Sequence, residues 1–171
     1  QIKTDRLTLV PSSARLAEAE MRSSAALAGL LDAAVPEDWP PDVMRDALPW
    51  FLARFEGRPD PYGWLHWYGL LNSGNGGRTL VAGAGFKGGP DEDGTVEIGY
   101  SVLAAFRNRG LASEMVGGLC GWAFGDSRVR RVTAQTEHDN PASVSVLIKN
   151  GFRDNGPAQG AGGRLFVLPR G

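Results

Sequence analysis

Residues 95–112 read TVEIGYSVLAAFRNRGLA, and this stretch sets the expectation for the whole fold. Its first eight residues alternate in polarity, which predicts a strand whose buried face carries Val96, Ile98, Tyr100 and Val102. After a basic turn, apolar residues recur at helical spacing, at Leu111, Met115, Leu119 and Ala123. The stretch therefore predicts an interior strand joined by a short turn to an amphipathic helix that packs on the sheet.

The turn itself, Arg107-Asn108-Arg109-Gly110-Leu111-Ala112, has the properties of an anion-binding site. The first turn of a helix carries unpaired N–H groups and the positive end of the helix dipole. Gly110 allows close approach of the backbone, and two guanidinium groups suit phosphate oxygens. The six residues predict a pyrophosphate site, and the alternative is an exposed basic turn that only begins a helix.

The remaining chain alternates strand and helix patterns in the manner of an α/β protein. Further strands are predicted at residues 6–10, 64–71, 79–86, 129–136 and 164–168. Helices are predicted at residues 14–33, at 42–55 with a kink at Pro49, and at 142–150. The glycine-rich residues 156–163 are interpreted as a hairpin loop. The strand at 129–136 is connected to the strand at 95–102 by a helix, so a right-handed parallel β-α-β unit is expected.

Length and composition favour a single globular domain. The 171 residues, 42% of them hydrophobic, fit a single domain over residues 1–171. Lys and Arg total 18 against 19 for Asp and Glu, so no global field attracts nucleic acid or an anionic membrane. The single cysteine, Cys120, leaves no internal disulfide or cysteine-based zinc site and favours a cytoplasmic protein. No apolar run reaches the length of a membrane span.

Four sequence elements in this order resemble the GNAT superfamily of acyl-CoA N-acyltransferases, particularly its ribosomal-protein N-terminal acetyltransferases. They are Thr4-Asp5-Arg6-Leu7, Glu97-Ile98-Gly99-Tyr100 with the basic turn, the stretch from Thr136 to Ser143, and Lys149-Asn150-Gly151-Phe152. The resemblance implies an α/β fold with a mixed, splayed sheet of about six to seven strands and helices on both faces. It also implies acetyl-CoA as cosubstrate and no metal.

The same resemblance assigns the cofactor contacts. It implies that backbone groups of Ser101, Val102 and Leu103 bind the pantetheine arm and that amides of residues 107–112 bind the pyrophosphate. Asn140 is expected to hydrogen-bond the arm. Ser143 takes the position of a proton donor to the leaving thiolate, where many relatives have a tyrosine. The alternative for Asn140 and Ser143 is that they only cap a helix.

Acyl transfer to an amine requires a neutral nucleophile. An α-amine with a pKa near ~8 is neutral far more often at pH 7 than a lysine amine near ~10.4, so it depends little on a base. Glu97, just ahead of the cofactor segment, is the first candidate to accept the amine proton. A salt-bridged strand carboxylate is the alternative. His66 and His138 are substitutes, and Cys120 fits a core position better than a nucleophile.

The aromatic residues give one candidate for the acceptor pocket. Trp39 lies beside the variable amino-terminal segments and is assigned to substrate binding, whereas Trp64, Trp67, Tyr68 and Phe86 are expected to be mostly core. The acceptor is expected to be a protein N-terminal amine. A small amine such as an antibiotic or polyamine, and a non-catalytic acyl-CoA-binding domain, remain alternatives. The protein is expected to be a monomer or homodimer.

Overall fold

The computed structural model describes residues 1–45, 53, 63–74, 76–158 and 162–171. Within these ranges the helices are α1 (Ala14–Arg22), α2 (Ser24–Leu31), α3 (Asp42–Arg45), α4 (Leu111–Phe124) and α5 (Pro141–Lys149). The strands are β1 (Ile2–Lys3), β2 (Leu7–Pro11), β3 (His66–Asn72), β4 (Arg78–Phe86), β5 (Thr95–Val102), β6 (Arg131–Thr136), β7 (Arg153–Pro157) and β8 (Arg164–Pro169).

The strands form one mixed sheet in the order β1-β2-β3-β4-β5-β6-β8-β7. Adjacent strands pair antiparallel, except for β5 and β6, which are parallel and are connected through α4. The expected α/β class and open mixed sheet are confirmed, with eight strands rather than six or seven. The extra edge strands were missed because β1 has two residues and β7 is mostly exposed and shows no alternation.

Helices cover the two faces of the sheet with separate apolar clusters. On one face, α4 presents Leu111, Met115 and Leu119 to the β5 residues Val96 and Ile98, all at most 2% exposed. On the other face, α2 packs on the sheet through a cluster formed by Leu27, Leu31, Trp39, Met44, Tyr68, Leu70, Leu80 and Leu103. Burial of apolar area on both faces supplies the main stabilisation of the sheet. None of the helices in the described ranges is long and apolar enough to cross a bilayer.

The single helix expected at residues 14–33 is wrong, because Ser23 divides it into α1 and α2. Ser23 has extended dihedral angles, and its hydroxyl accepts a hydrogen bond from the N–H of Ala26 at 3.1 Å. A serine side chain that satisfies the first turn of the next helix competes with continuation of the previous one. The second expected helix is observed as α3 and at residue 53, and its other residues, including Pro49, lie outside the described residues.

The amino-terminal segment is fastened to the first turn of α4 by Glu114. One carboxylate oxygen accepts bonds from the Thr4 hydroxyl and the Arg6 N–H, both at 2.6 Å. The other oxygen meets the Arg6 guanidinium at 2.7 Å. Arg6 also donates from Nη1 to the carbonyl oxygen of Arg109 at 2.8 Å. These contacts hold the turn that precedes α4 against β2.

The Glu114 carboxylate is strongly stabilised in its charged form. Partial burial by itself raises the pKa of Glu114, but the hydrogen bonds from Thr4 and Arg6 and the Arg6 charge outweigh burial and lower that pKa. Folding therefore favours the ionised carboxylate. The resulting stability is present above the pKa of an unfolded glutamate and is lost as the pH falls through the lower value of the folded state.

We expect Glu114→Gln to lower the free energy of unfolding at pH 7 by about 1–3 kcal/mol, because hydrogen bonds to a charged acceptor are lost. Urea denaturation at a series of pH values measures the effect. The stabilities of the variant and the wild type should converge as the pH falls through the lowered folded-state pKa of Glu114, because the wild-type carboxyl is then protonated. Glu92→Gln, on the exposed loop between β4 and β5, is the control. A loss that stays the same at every pH of the series would contradict this assignment.

Candidate active site

The two parallel strands at the centre of the sheet separate after three residue pairs. β5 and β6 are in register at Thr95–Arg131, Val96–Val132 and Glu97–Thr133 and pair no further. β5 continues to Val102 on its partner β4, and β6 continues to Thr136 on its partner β8. The sheet therefore opens between the carboxyl-terminal halves of β5 and β6.

The edge of β5 that faces this opening carries backbone groups without a strand partner. Lys87 N–H donates to Glu97 O at 3.0 Å and Leu103 N–H donates to Val81 O at 2.9 Å, so odd-numbered residues direct their backbone to β4. The even-numbered residues from Ile98 to Val102 then direct theirs to the opening. Among the described residues, no strand pairs with this edge. Of the three residues expected to bind the pantetheine arm, Val102 has its N–H on this side.

The predicted phosphate turn lies at the end of the same strand. Gly110 is the N-cap of α4 in a left-handed conformation with φ 78°, and Asn108 has φ 60°. Glu114 N–H donates to Gly110 O, as expected at the start of a helix. No described residue accepts a hydrogen bond from the N–H groups of residues 108–113. The exposed turn thus offers a row of donors at the positive end of a fourteen-residue helix.

The two arginines of the turn are exposed and partly fixed. Arg107 Nε donates to the carbonyl oxygen of Val102 at 3.0 Å. Arg109 Nη2 donates to Ala105 O at 2.9 Å, and its guanidinium carbon lies 5.4 Å from the centre of the Phe106 ring. Each guanidinium keeps further N–H donors directed away from these contacts. The positive charge of the turn is therefore held in place near its row of backbone donors.

Asn140 and Ser143 lie at the start of α5, which follows β6. Asn140 is the N-cap, and its Oδ1 accepts a hydrogen bond from the N–H of Ser143 at 3.0 Å. The capping role considered from the sequence is therefore present in the structure. The cap uses the amide oxygen of Asn140 and leaves the amide nitrogen as a donor. The roles assigned to Asn140 and Ser143 toward the cofactor stay predictions.

Tyr100 joins the two sides of the opening. Its hydroxyl donates to the backbone oxygen of Ser143 at 3.1 Å. Burial raises the pKa of Tyr100 to about 12, although a hydrogen bond with the Ser143 side chain opposes the shift. The sequence placed Tyr100 only on the buried face of a strand. The sequence did contain a signal for this contact, because Tyr100 is the one polar side chain among the apolar residues of that face. A buried tyrosine hydroxyl usually has a hydrogen-bond partner.

Glu97 lies at the last paired position before the strands separate. Its Oε1 is 2.5 Å from Lys87 Nζ, and its Oε2 accepts a hydrogen bond from Gln135 Nε2 at 3.3 Å. The side chain is 22% exposed and projects from the sheet face opposite to Val96 and Ile98. This is the ion-paired strand carboxylate considered as the alternative, at the edge of the opening. Its role as a base stays a prediction.

The substitute residues occupy less suitable environments. His66 is 4% exposed, and burial lowers its pKa to about 3, so it is neutral at physiological pH. Burial raises the pKa of Cys120 to about 12, which keeps it a thiol in the core between α4 and the sheet. His138 is exposed in the loop before α5. No group of three or more metal-ligating His, Cys, Asp or Glu side chains occurs within the described ranges.

Trp39 is 5% exposed and belongs to the apolar cluster under α2. Its indole N–H donates to Glu20 Oε1 at 2.8 Å, and the Tyr68 hydroxyl donates to Glu20 Oε2 at 2.7 Å. Burial raises the pKa of Glu20, and these two hydrogen bonds oppose that shift. Trp39 thus anchors α1 to the sheet in this structure, and its assignment to acceptor binding stays a prediction.

Comparison with known proteins agrees with this architecture. A model of the acetyltransferase (GNAT) domain matches residues 6–153. The N-acetyltransferase YjdG of Bacillus subtilis, itself uncharacterised, is 34% identical over 115 residues, or 67% of each chain.

Two solved structures are similar over most of their length. A Vibrio cholerae protein assigned as a ribosomal-protein-serine acetyltransferase has a TM-score of 0.65 at 16% identity and covers 99% of this chain and 97% of its own. The aminoglycoside acetyltransferase AAC(6')-Ib, solved with coenzyme A, has a TM-score of 0.62 at 17% identity, and the alignment covers 96% of this chain and 95% of that enzyme. These two structures share the fold. Because the domain model spans most of the chain, the protein belongs to the GNAT family of acetyltransferases and is an N-acetyltransferase.

Proposed function

We propose that this protein transfers the acetyl group of acetyl-CoA to the α-amine of a protein N-terminus, by direct attack in a ternary complex. The observation that carries the proposal is the opening between β5 and β6, which ends at the donor-rich turn before α4. A linear donor with a diphosphate at one end and amide groups along its arm matches this arrangement of backbone groups. The similar enzyme AAC(6')-Ib was solved with coenzyme A.

The donor would be held in two places. The N–H groups of residues 108–112, with the side chains of Arg107 and Arg109, would bind the diphosphate; the N–H of Arg107 already donates to the carbonyl oxygen of Ala104. The N–H of Val102, which faces the opening, would bind the arm as an added strand does, whereas Ser101 and Leu103 direct their backbone groups to β4. Asn140 would donate from its amide nitrogen to the same arm. These contacts leave the thioester between the end of β5 and the start of α5.

The chemistry then needs few protein groups. The amine nitrogen attacks the thioester carbon, a backbone N–H on the β5 edge stabilises the oxyanion, and the carbon–sulfur bond breaks. Ser143 would donate a proton to the departing sulfur and would itself be reprotonated by solvent water, so that no alkoxide remains. Glu97 would accept the amine proton, directly or through water, after exchanging its contact with Lys87. Direct attack requires no acyl-enzyme intermediate. Cys120 is a buried thiol and is not placed to form one.

A small amine is the second candidate acceptor. The structural similarity to an aminoglycoside acetyltransferase is about as strong as that to the ribosomal-protein-serine enzyme, with TM-scores of 0.62 and 0.65. The two proposals share the donor site and differ only in the acceptor. The buried, single Cys120 is compatible with either reaction in a reducing cytoplasm.

Gly110→Ala should weaken acetyl-CoA binding about tenfold or more in isothermal titration. The new methyl group lies on the donor-rich turn, where φ is 78°, and strains the backbone that approaches the diphosphate. Gly156→Ala is the matched control, because its φ of 84° imposes the same strain on β7, at the far edge of the sheet. Equal weakening by both substitutions would show that the effect is general destabilisation.

Ser143→Ala should reduce kcat about tenfold with little change in KM for acetyl-CoA, because a thiol leaving group gains only modest help from a proton donor. Steady-state release of free thiol measures the rate. Ser145→Ala, at an exposed position of the same helix, should leave kcat unchanged. Full turnover by Ser143→Ala would disprove the proton-donor assignment.

A panel of acceptors tests the proposed function itself. Peptides with a free N-terminus, the same peptides with a blocked N-terminus and an internal lysine, and kanamycin are compared by thiol release. We expect kcat/KM to be highest for the free N-terminus and to rise with pH towards the pKa of the α-amine, about 8. Preference for kanamycin would select the small-amine candidate, and no release with any acceptor would reject both.

A further inference from the structure

Ser143 is held by side chains at both of its backbone polar groups. Its N–H donates to Oδ1 of Asn140 at 3.0 Å, which lies three residues earlier in the same segment. Its carbonyl oxygen accepts the Tyr100 hydroxyl at 3.1 Å, which comes from a strand forty-three residues away in sequence. The first contact is an ordinary helix cap. The second has no role in forming α5, because a helix does not need an outside donor at its first turn.

The tyrosine contact crosses the opening in the sheet. Tyr100 lies on β5 beyond Glu97, where β5 no longer pairs with β6. Ser143 lies on α5, which follows β6 after four residues. On this half of the opening the two sides therefore lack a backbone ladder, and the phenolic hydroxyl forms a hydrogen bond between them. Phenylalanine would fill the same half-buried space without that bond.

We infer that Tyr100 is a positioning residue, which orients the Ser143 hydroxyl toward the thioester sulfur by fixing the backbone of Ser143 relative to β5. The inference rests on the proposed function, since it concerns the residue assigned there as proton donor. Tyr100 acts through Ser143 and is not itself the donor. Its hydroxyl proton is engaged in the hydrogen bond to the carbonyl oxygen of Ser143.

This arrangement predicts a particular split of kinetic effects. The phosphate turn and the β5 edge do not depend on the Tyr100 hydroxyl, so KM for acetyl-CoA should change less than about twofold in Tyr100→Phe. The orientation of Ser143 does depend on it, so kcat should fall about fivefold or more. The loss should be absent when Ser143 has no hydroxyl to orient.

A double-mutant cycle with Tyr100→Phe and Ser143→Ala tests this by thiol release from acetyl-CoA with the best acceptor of the panel. We expect the double variant to have the kcat of Ser143→Ala within about twofold, which is strong non-additivity. Tyr68→Phe is the matched control. It also removes a buried phenolic hydrogen bond, to Glu20 on the other sheet face, and its effect should multiply with that of Ser143→Ala.

Three results would overturn the inference. Losses that multiply in the double variant would show that Tyr100 acts independently of Ser143, and an unchanged kcat in Tyr100→Phe would show that it does not act at all. A kcat loss matched by a fall in the melting temperature, and shared by Tyr68→Phe, would show a purely structural role. Absence of wild-type turnover with every acceptor would reject the proposed function instead, which separates the two failures.

Discussion

The separation of β5 from β6 after Glu97 and Thr133 is the constraint on which the rest of this structure depends. A parallel pair that closed along its full length would satisfy its own backbone groups and leave no edge inside the sheet. Here β4 and β8 keep the two strands extended while they part. In the proposed function, a polar, extended ligand would supply the missing ladder, and the donor-rich turn lies at the end of the same strand.

Polar side chains fasten the elements that border the opening. Glu114 fastens the segment at Arg6 to the first turn of α4, and Arg6 continues to the carbonyl oxygen of Arg109. Arg107 reaches back to Val102 at the end of β5. Tyr100 connects β5 to α5. The Tyr100 contact is the one of these that reaches the segment beyond β6.

The parts of the fold that follow from short-range pattern were predictable from the sequence. The alternation in residues 95–102, the glycine before α4 and the helical spacing from Leu111 each act within a few residues, so a local reading captures them. Ser23 was missed because its capping hydroxyl competes with strong helix formers on both sides. The Arg6–Glu114 and Tyr100–Ser143 contacts join residues 108 and 43 apart, and no local periodicity encodes such pairs.

The two sheet faces divide the work of the proposed reaction. The face under α4 and α5 is filled by apolar side chains and carries the donor contacts. On the opposite face, Gly99 is exposed, and a Cβ there would meet no atom of the described residues within 4 Å. Glu97 and Ser101 flank this bare stretch of β5 on the same face. In the proposed reaction, an amine that approaches the opening from this face would lie on the same side of β5 as the Glu97 carboxylate, the group proposed to accept its proton.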